Sequence, residues 1–166
     1  RIKDPHSILG MHTGKDGIVV RIYDPAAEKV FILADGQKFP AEKAAGAGLF
    51  IVTFPGRKKH FDYIVEKHFE GGEVFASEDP YHFLPGIGEM DMYLFNSGEH
   101  HKVYEVMGAH PRKMGTVDGV LFAVWAPNAE RVSVIGDFNC WDGRRNMMRL
   151  MGSSGIWELF IPSLQP

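Results

Sequence analysis

Cysteine is almost missing from this chain. Cys140 is the only one in 166 residues, so no disulfide can form within the molecule. A single thiol fits a reducing compartment, and a cytoplasmic location is the expectation. Long apolar runs are missing too. Nothing approaches the roughly 20 consecutive apolar residues that a membrane-spanning helix needs, and no basic segment followed by an apolar stretch marks a signal peptide. Surplus charge is also lacking. The formal net charge is −3, which gives no electrostatic reason to expect nucleic acid or an anionic membrane as partner. The opening "RIKDPHSILG" lacks an initiator Met and reads like the interior of a longer protein.

What is present is ordinary globular material, 45% hydrophobic and 23% charged, enough for one large or two small domains. It is also repeated. "LGMH" (Leu9 to His12) echoes "MGAH" (Met107 to His110). "DGIVVRIYDPAAEKVFIL", from Asp16, echoes "DGVLFAVWAPNAERVSVI", from Asp118, and "GLFIVTFP", from Gly48, echoes "GIWELFIP", from Gly155. The three blocks keep their order at shifts of about 98, 102 and 107 positions, which implies a tandem duplication with small loop insertions.

Each copy reads as β structure. In the first, Ile18–Tyr23, Val30–Leu33, Leu49–Phe54, Phe61–Lys67 and Glu73–Ser77 are rich in β-branched and aromatic residues, punctuated by Pro, Gly and Asp. Asp24-Pro25 separates two of them, and "VEKHFEGGEVFA" reads as a hairpin around Gly71-Gly72. Short strands at close spacing point to an antiparallel sandwich. The only helix-like stretch is "GEMDMYLFNSG", with Met90, Tyr93 and Leu94 at helical spacing and Gly98 to end it. The expected partition is a first β domain over 1–86, a helical linker over 87–106 and a second β domain over 107–166. After Pro162 the second copy has only "SLQP", so it is expected to lack the counterparts of the last two strands.

A search for chemistry finds no catalytic constellation. Ser153-Ser154 occupy a polar turn without a nucleophile context. "EHH" (Glu99 to His101) lacks ligand spacing, and the glycines of "AAGAGLF" and "EGGEV" lack a strand-to-helix setting, so neither metal nor phosphate-bearing cofactor is expected. Asp137 and Asp142 stand in a glycine-punctuated turn and not in an apolar pocket.

The aromatics remain. Trp125 and Trp157 lie in strands and have aromatic counterparts, Tyr23 and Phe50, in the first copy; packing is the ordinary role for both. Trp141 differs. It sits in "GDFNCWDGRRN", and the corresponding "ADGQKFPAEK" has no aromatic before Phe39. Two readings stand. The indole folds back under its loop, or it offers a flat apolar face to a ligand such as a sugar, with Asn139 beside it as donor and acceptor.

"FAVWAPNAERVSVIGDFNCWDGRRNMMRL" followed by "GIWELFIP" resembles the amino-terminal region of bacterial 1,4-α-glucan (glycogen) branching enzymes. "DPHSILGMH", "DPYHF" and "LFNSGEHHKVYEVMGAH" look like the same family's leading domain and linker. The resemblance implies an all-β chain of two tandem immunoglobulin-like β-sandwiches joined by a short helical linker, the second truncated. It implies that the second is a family 48 carbohydrate-binding module, and that α-glucan and the catalytic barrel of a parent enzyme are the partners. In the parent that (β/α)₈ barrel transfers an α-1,4-glucan segment to an α-1,6 branch point. No catalytic residue of that barrel has a counterpart in this chain. By resemblance Trp141 matches the platform tryptophan and Asn139 belongs to the same "FN-x-W" motif; Asp142 and Trp157 complete the candidate carbohydrate-binding set. The first domain is then structural, with an influence on the length of chain transferred. Two alternatives stay open: a protein-interaction sandwich anchored by Trp141, and the binding module of a starch hydrolase or debranching enzyme.

Overall fold

The structure is a computed structural model that describes residues 4–44, 46 and 48–165. Arg1–Lys3, Ala45, Ala47 and Pro166 lie outside the described residues, and with them the outermost ends of the expected first and second domains and part of "AAGAGLF". The chain is all-β apart from one short helix, and every strand pair is antiparallel. It divides into two compact units, His6–His82 and a second from Phe83 onward.

The first unit carries β1 (Gly10–Thr13), β2 (Gly17–Tyr23), β3 (Ala27–Ala34), β4 (Gln37–Pro40), β5 (Glu42–Lys43), β6 (Leu49–Pro55), β7 (Ile64–Phe69) and β8 (Val74–Ser77). They form two sheets, ordered β1-β2-β6-β5 and β4-β3-β7-β8. Strict alternation explains why. Ile18, Val20 and Ile22 of β2, Phe50, Val52 and Phe54 of β6, and Val30 and Ile32 of β3 are all buried and meet in one apolar core. The chain passes between sheets at Asp24-Pro25, where buried Asp24 accepts the Ala26 N–H at 3.1 Å and the Lys67 Nζ at 2.9 Å. The Gly71-Gly72 hairpin forms as expected, both glycines at positive φ. The strand expected over Phe61–Lys67 begins only at Ile64.

In the second unit the helix α1 (Glu89–Ser97) precedes β9 (Gly108–Met114), β10 (Val117–Trp125), β11 (Arg149–Leu150) and β12 (Ile156–Pro162). Gly98 closes α1 in the left-handed region, its N–H reaching the Leu94 and Phe95 carbonyls. The apolar face differs from the expected one. Met92 and Phe95 pack inward, whereas Met90 and Tyr93 are exposed.

The four strands form the sheet β11-β12-β10-β9, and the duplication is reproduced in it residue for residue. Gly17 pairs with Pro55 and Tyr23 with Leu49; their counterparts Gly119 and Pro162, and Trp125 and Ile156, pair likewise. His12 Nε2 donates to the Leu9 carbonyl at 2.9 Å, and His110 Nε2 to that of Met107 at 2.7 Å. Gly48 and Gly155 both take positive φ where a Cβ would press on Pro25 and Pro127, at 2.7 and 2.9 Å. Only glycine fits such an approach.

The outer face of the two sheets differs. β12 is buried at every position, so both of its faces are covered. One face carries Ile156, Glu158 and Phe160, and the segment before β9 lies on it. Ile87, Met92, Phe95, Val106 and Met107 pack around Ile156 and Ala123, and the Phe83 ring meets that of Phe160 edge-on at 4.8 Å. In the middle sits Glu158, 1% exposed. Its carboxylate accepts the Gly86 N–H at 3.0 Å, the Ile87 N–H at 2.8 Å, and Arg149 Nε and Nη2 at 3.1 and 2.9 Å. The segment over 83–107 is therefore an integral layer of this unit.

The inner face is less covered than in the first unit. Val20, Ile22, Val30 and Ile32 are at most 5% exposed, but their counterparts Phe122, Val132 and Val134 are half-buried and Val124 is exposed. In the first unit β7 pairs along β3. Among the described residues, Val132–Ile135 pair only on the other side, through Ser133 with Met147. No described helix is long and apolar enough to cross a membrane.

Removing the Glu158 carboxylate leaves a buried guanidinium and two backbone N–H groups without their acceptor. Glu158→Ala is expected to destabilise the second unit by about 3–5 kcal/mol. All three tryptophans lie in that unit, so their fluorescence reports its unfolding alone. In urea the fluorescence midpoint should fall while the first unit's far-UV signal keeps its own transition. An unchanged fluorescence midpoint contradicts the assignment.

Candidate functional site

The loop between Ile135 and Asn146 replaces a tight turn. In the first unit β3 returns into β4 through Asp35-Gly36, at φ 52° and 71°. The backbone contact that closes the turn is shared by both copies: Ala41 N–H to the Val30 carbonyl, and Met148 N–H to that of Val132, each 2.8 Å. Between those fixed points the second copy is five residues longer, and the extra length builds the loop that carries Trp141.

Asn139 organises it. Although the chain around it is polar, Asn139 is 1% exposed. Its Nδ2 donates to the Val134 carbonyl at 2.8 Å and to Asn146 Oδ1 at 2.9 Å, and its Oδ1 accepts the Gly136 N–H at 3.0 Å. The side chain thus ties the loop to the strand before it and to the segment after it. With both ends of the amide engaged, Asn139 shapes the site from beneath.

Above it the backbone is bent hard. Cys140 and Trp141 are consecutive non-glycine residues in the left-handed region, at φ 54° and 58°. Such conformations cost about 1–3 kcal/mol each and persist only where the surroundings impose them. Here the Trp141 N–H reaches the Gly136 carbonyl at 3.0 Å and the Asp142 N–H that of Asn139 at 3.1 Å. The result lifts Trp141 outward, 64% exposed. Its indole Nε1 donates to Asp137 Oδ1 at 2.9 Å. That bond satisfies the polar edge of the ring and leaves an apolar face toward water, three residues after Phe138, itself 40% exposed. Asp137 was not among the expected site residues; its spacing of four from Trp141 was the available signal.

Asp142 faces Arg144. Oδ1 accepts the Arg144 N–H and Nε, both at 2.9 Å, and Oδ2 accepts Nη2 at 2.8 Å. The Arg144 side chain first, then its backbone N–H, lowers the carboxyl from its ordinary value to about 2. Trp157 lies elsewhere, on β12 in the core, 1% exposed, with its Nε1 donating to the Ala126 carbonyl at 3.0 Å. The structure brings Asn139, Trp141 and Asp142 together in one loop and gives Trp157 no solvent-facing ring. Among the described residues no group of His, Cys, Asp and Glu is placed to hold a metal ion.

Asn139→Ala orphans the Gly136 N–H and the Val134 carbonyl, and about 2–4 kcal/mol of stability should be lost, read in the tryptophan unfolding midpoint. A wild-type midpoint would show that the amide does not hold the loop. The Asp142–Arg144 pair has its own pH signature. A carboxyl held below its ordinary value contributes stability above that value and loses it as pH falls toward the native one. The window here runs from about pH 4 down to about 2. Carbon-detected NMR should place the Asp142 midpoint near 2, and Arg144→Ala should raise it toward 3.8.

Comparison with known proteins accounts for most of the chain. The family described as "alpha-1,4-glucan branching enzyme GlgB, N-terminal domain" matches residues 1–81. "Carbohydrate-binding module 48 (Isoamylase N-terminal domain)" matches residues 106–166. The 1,4-alpha-glucan branching enzyme GlgB of Myxococcus xanthus is 44% identical over 164 residues, which cover 99% of this chain and 22% of that protein. Those of Methylococcus capsulatus and Mycobacterium ulcerans are 43% and 46% identical over 166 and 163 residues, covering 100% and 96% of this chain. The chain spans about 22% of the length of these relatives. The two matched segments meet the two copies of the repeat in order, and the chain therefore belongs to the GlgB branching-enzyme family as its amino-terminal region, a GlgB N-terminal domain followed by a carbohydrate-binding module of family 48.

Proposed function

We propose that this chain is a non-catalytic α-glucan-binding and spacing region, and that Trp141 makes the decisive sugar contact. The observation that carries this reading is the indole held outward on a strained loop with its only polar atom already bonded to Asp137. Apolar area kept in water at a cost in backbone strain is what a stacking platform for the C–H faces of glucose requires. Phe138 widens the apolar surface. Asn139 and Asp142 act by holding the loop's shape, and Trp157, buried on β12, takes no direct part in the sugar contact. The parent protein we take to be the branching enzyme, in which a catalytic barrel transfers an α-1,4-glucan segment to an α-1,6 branch point. In that protein the first β domain is structural and influences the length of chain transferred, and the second keeps the 83–107 segment as its outer layer. We place the protein in the cytoplasm, away from membranes, consistent with a lone exposed Cys140.

β-Cyclodextrin or maltoheptaose should quench the tryptophan fluorescence of this chain. Trp141→Ala should weaken binding by at least about tenfold, while Trp125→Phe, which alters the other exposed indole, should leave it unchanged. Binding that survives Trp141→Ala overturns the platform. No binding at all favours a protein partner gripping Trp141.

A further inference from the structure

The turn that the Trp141 loop replaces in the second unit has a feature of its own in the first. Beside the Asp35-Gly36 turn lies a cleft of about 440 Å³, a size that suits a small ligand. It is lined by apolar Leu33 and Ile64 and by polar Gln37, Asp62 and Glu78. Leu33 is the counterpart of Ile135, the residue from which the Trp141 loop departs. The cleft therefore occupies, on the first copy of the fold, the same sheet end that carries Trp141 on the second.

Most of the charge around it is already committed. Asp35 holds Arg57 Nη2 at 2.8 Å, and Lys38 Nζ holds Glu66 at 2.6 Å while lying over the Phe31 ring. The Tyr63 hydroxyl donates to buried Asp79 at 2.6 Å. Glu78 is the exception. Its Oε2 is buried with no hydrogen-bond partner among the described residues. A buried acceptor left unmet costs about 1–3 kcal/mol and is normally satisfied by something that donates to it. Burial, and then the neighbouring Asp62 carboxylate, push the Glu78 carboxyl above its ordinary value, which disfavours a full negative charge there. Apolar Leu33 and Ile64 beside the Gln37 amide and the Glu78 and Asp62 carboxylates suit a ligand that combines apolar C–H faces with hydroxyl donors.

We propose that this cleft is a second oligosaccharide-binding site, in which Glu78 accepts a sugar hydroxyl and Gln37 and Asp62 bind others. The ligand class follows from the cleft's own groups; that it is an α-glucan rests on the function proposed above. The two sites then stand at equivalent positions of the duplicated fold.

The test is a backbone-amide NMR titration of the whole chain with maltoheptaose. The expected result is two sets of saturable shifts, one at Gly136–Gly143 and one at Asp35–Lys38 with Ile64. Glu78→Ala should weaken the second set by about tenfold and leave the first untouched. Asp62→Asn, on a fully exposed side chain that the fold does not need, should weaken it by about two- to threefold. Trp141→Ala should do the reverse, removing the first set alone. Shifts at the Trp141 loop with none at the cleft overturn this proposal and leave the platform standing. Shifts at the cleft with none at the loop uphold it and overturn the platform. Silence at both overturns both. Cleft shifts that survive Glu78→Ala and Asp62→Asn remove the hydroxyl-acceptor role and overturn the site as described.

Discussion

One buried carboxylate decides the architecture of the second unit. Glu158 stands at the centre of a strand that is otherwise apolar, and it is tolerable there only because two backbone N–H groups and a guanidinium converge on it. Those N–H groups belong to residues about seventy positions earlier. The bonds therefore draw the segment at Gly86 and Ile87 across the sheet, and the apolar residues of α1 follow it down. A stretch that connects two domains on paper becomes the outer layer of one of them. Breaking that one site would strand the helix as well as the charge.

The duplication shows how one sheet is put to two uses. β1-β2-β6 and β9-β10-β12 share register, the histidine bond to the carbonyl three residues back, and the glycine pressed on a proline. These are the parts that fix the geometry of the sheet, so they stay. What differs lies at the margins. Even the edge strands β5 and β11 pair in the same register, and the difference is that the first unit has a complete second sheet where the second has the 83–107 layer. The five-residue expansion between β3's counterpart and the chain that follows it replaces a tight turn with the longer loop that carries Trp141, and among the described residues the flanking segments keep only the Ser133–Met147 bridge and the bonds beside it.

Much of this was legible in the residues, and the gaps have physical causes. β-Branched and aromatic content between turn residues marked β2, β3 and β6, and in the fold each buries every second side chain along most of its length. β9 was not foreseen because it is polar and contains Pro111, which an edge strand tolerates and a sequence pattern penalises. α1 was found, but its many apolar residues define two possible stripes, and the one that packs is chosen by Ala123 and Ile156, far away in sequence. The polar turn at 136–143 was visible, and so was the oddity of Trp141. The depth of Asn139 was not, because its three partners lie up to seven residues away and burial of an amide depends on all of them being met.

The strained pair that presents the indole has one more property. Its first member, Cys140, is exposed and is the only thiol in the chain. Any reagent selective for thiols thus has a single address on this molecule, the residue adjoining Trp141. A maleimide dye becomes a reporter for that surface without further engineering. Oxidation between two copies would form one type of covalent dimer, joined loop to loop through Cys140.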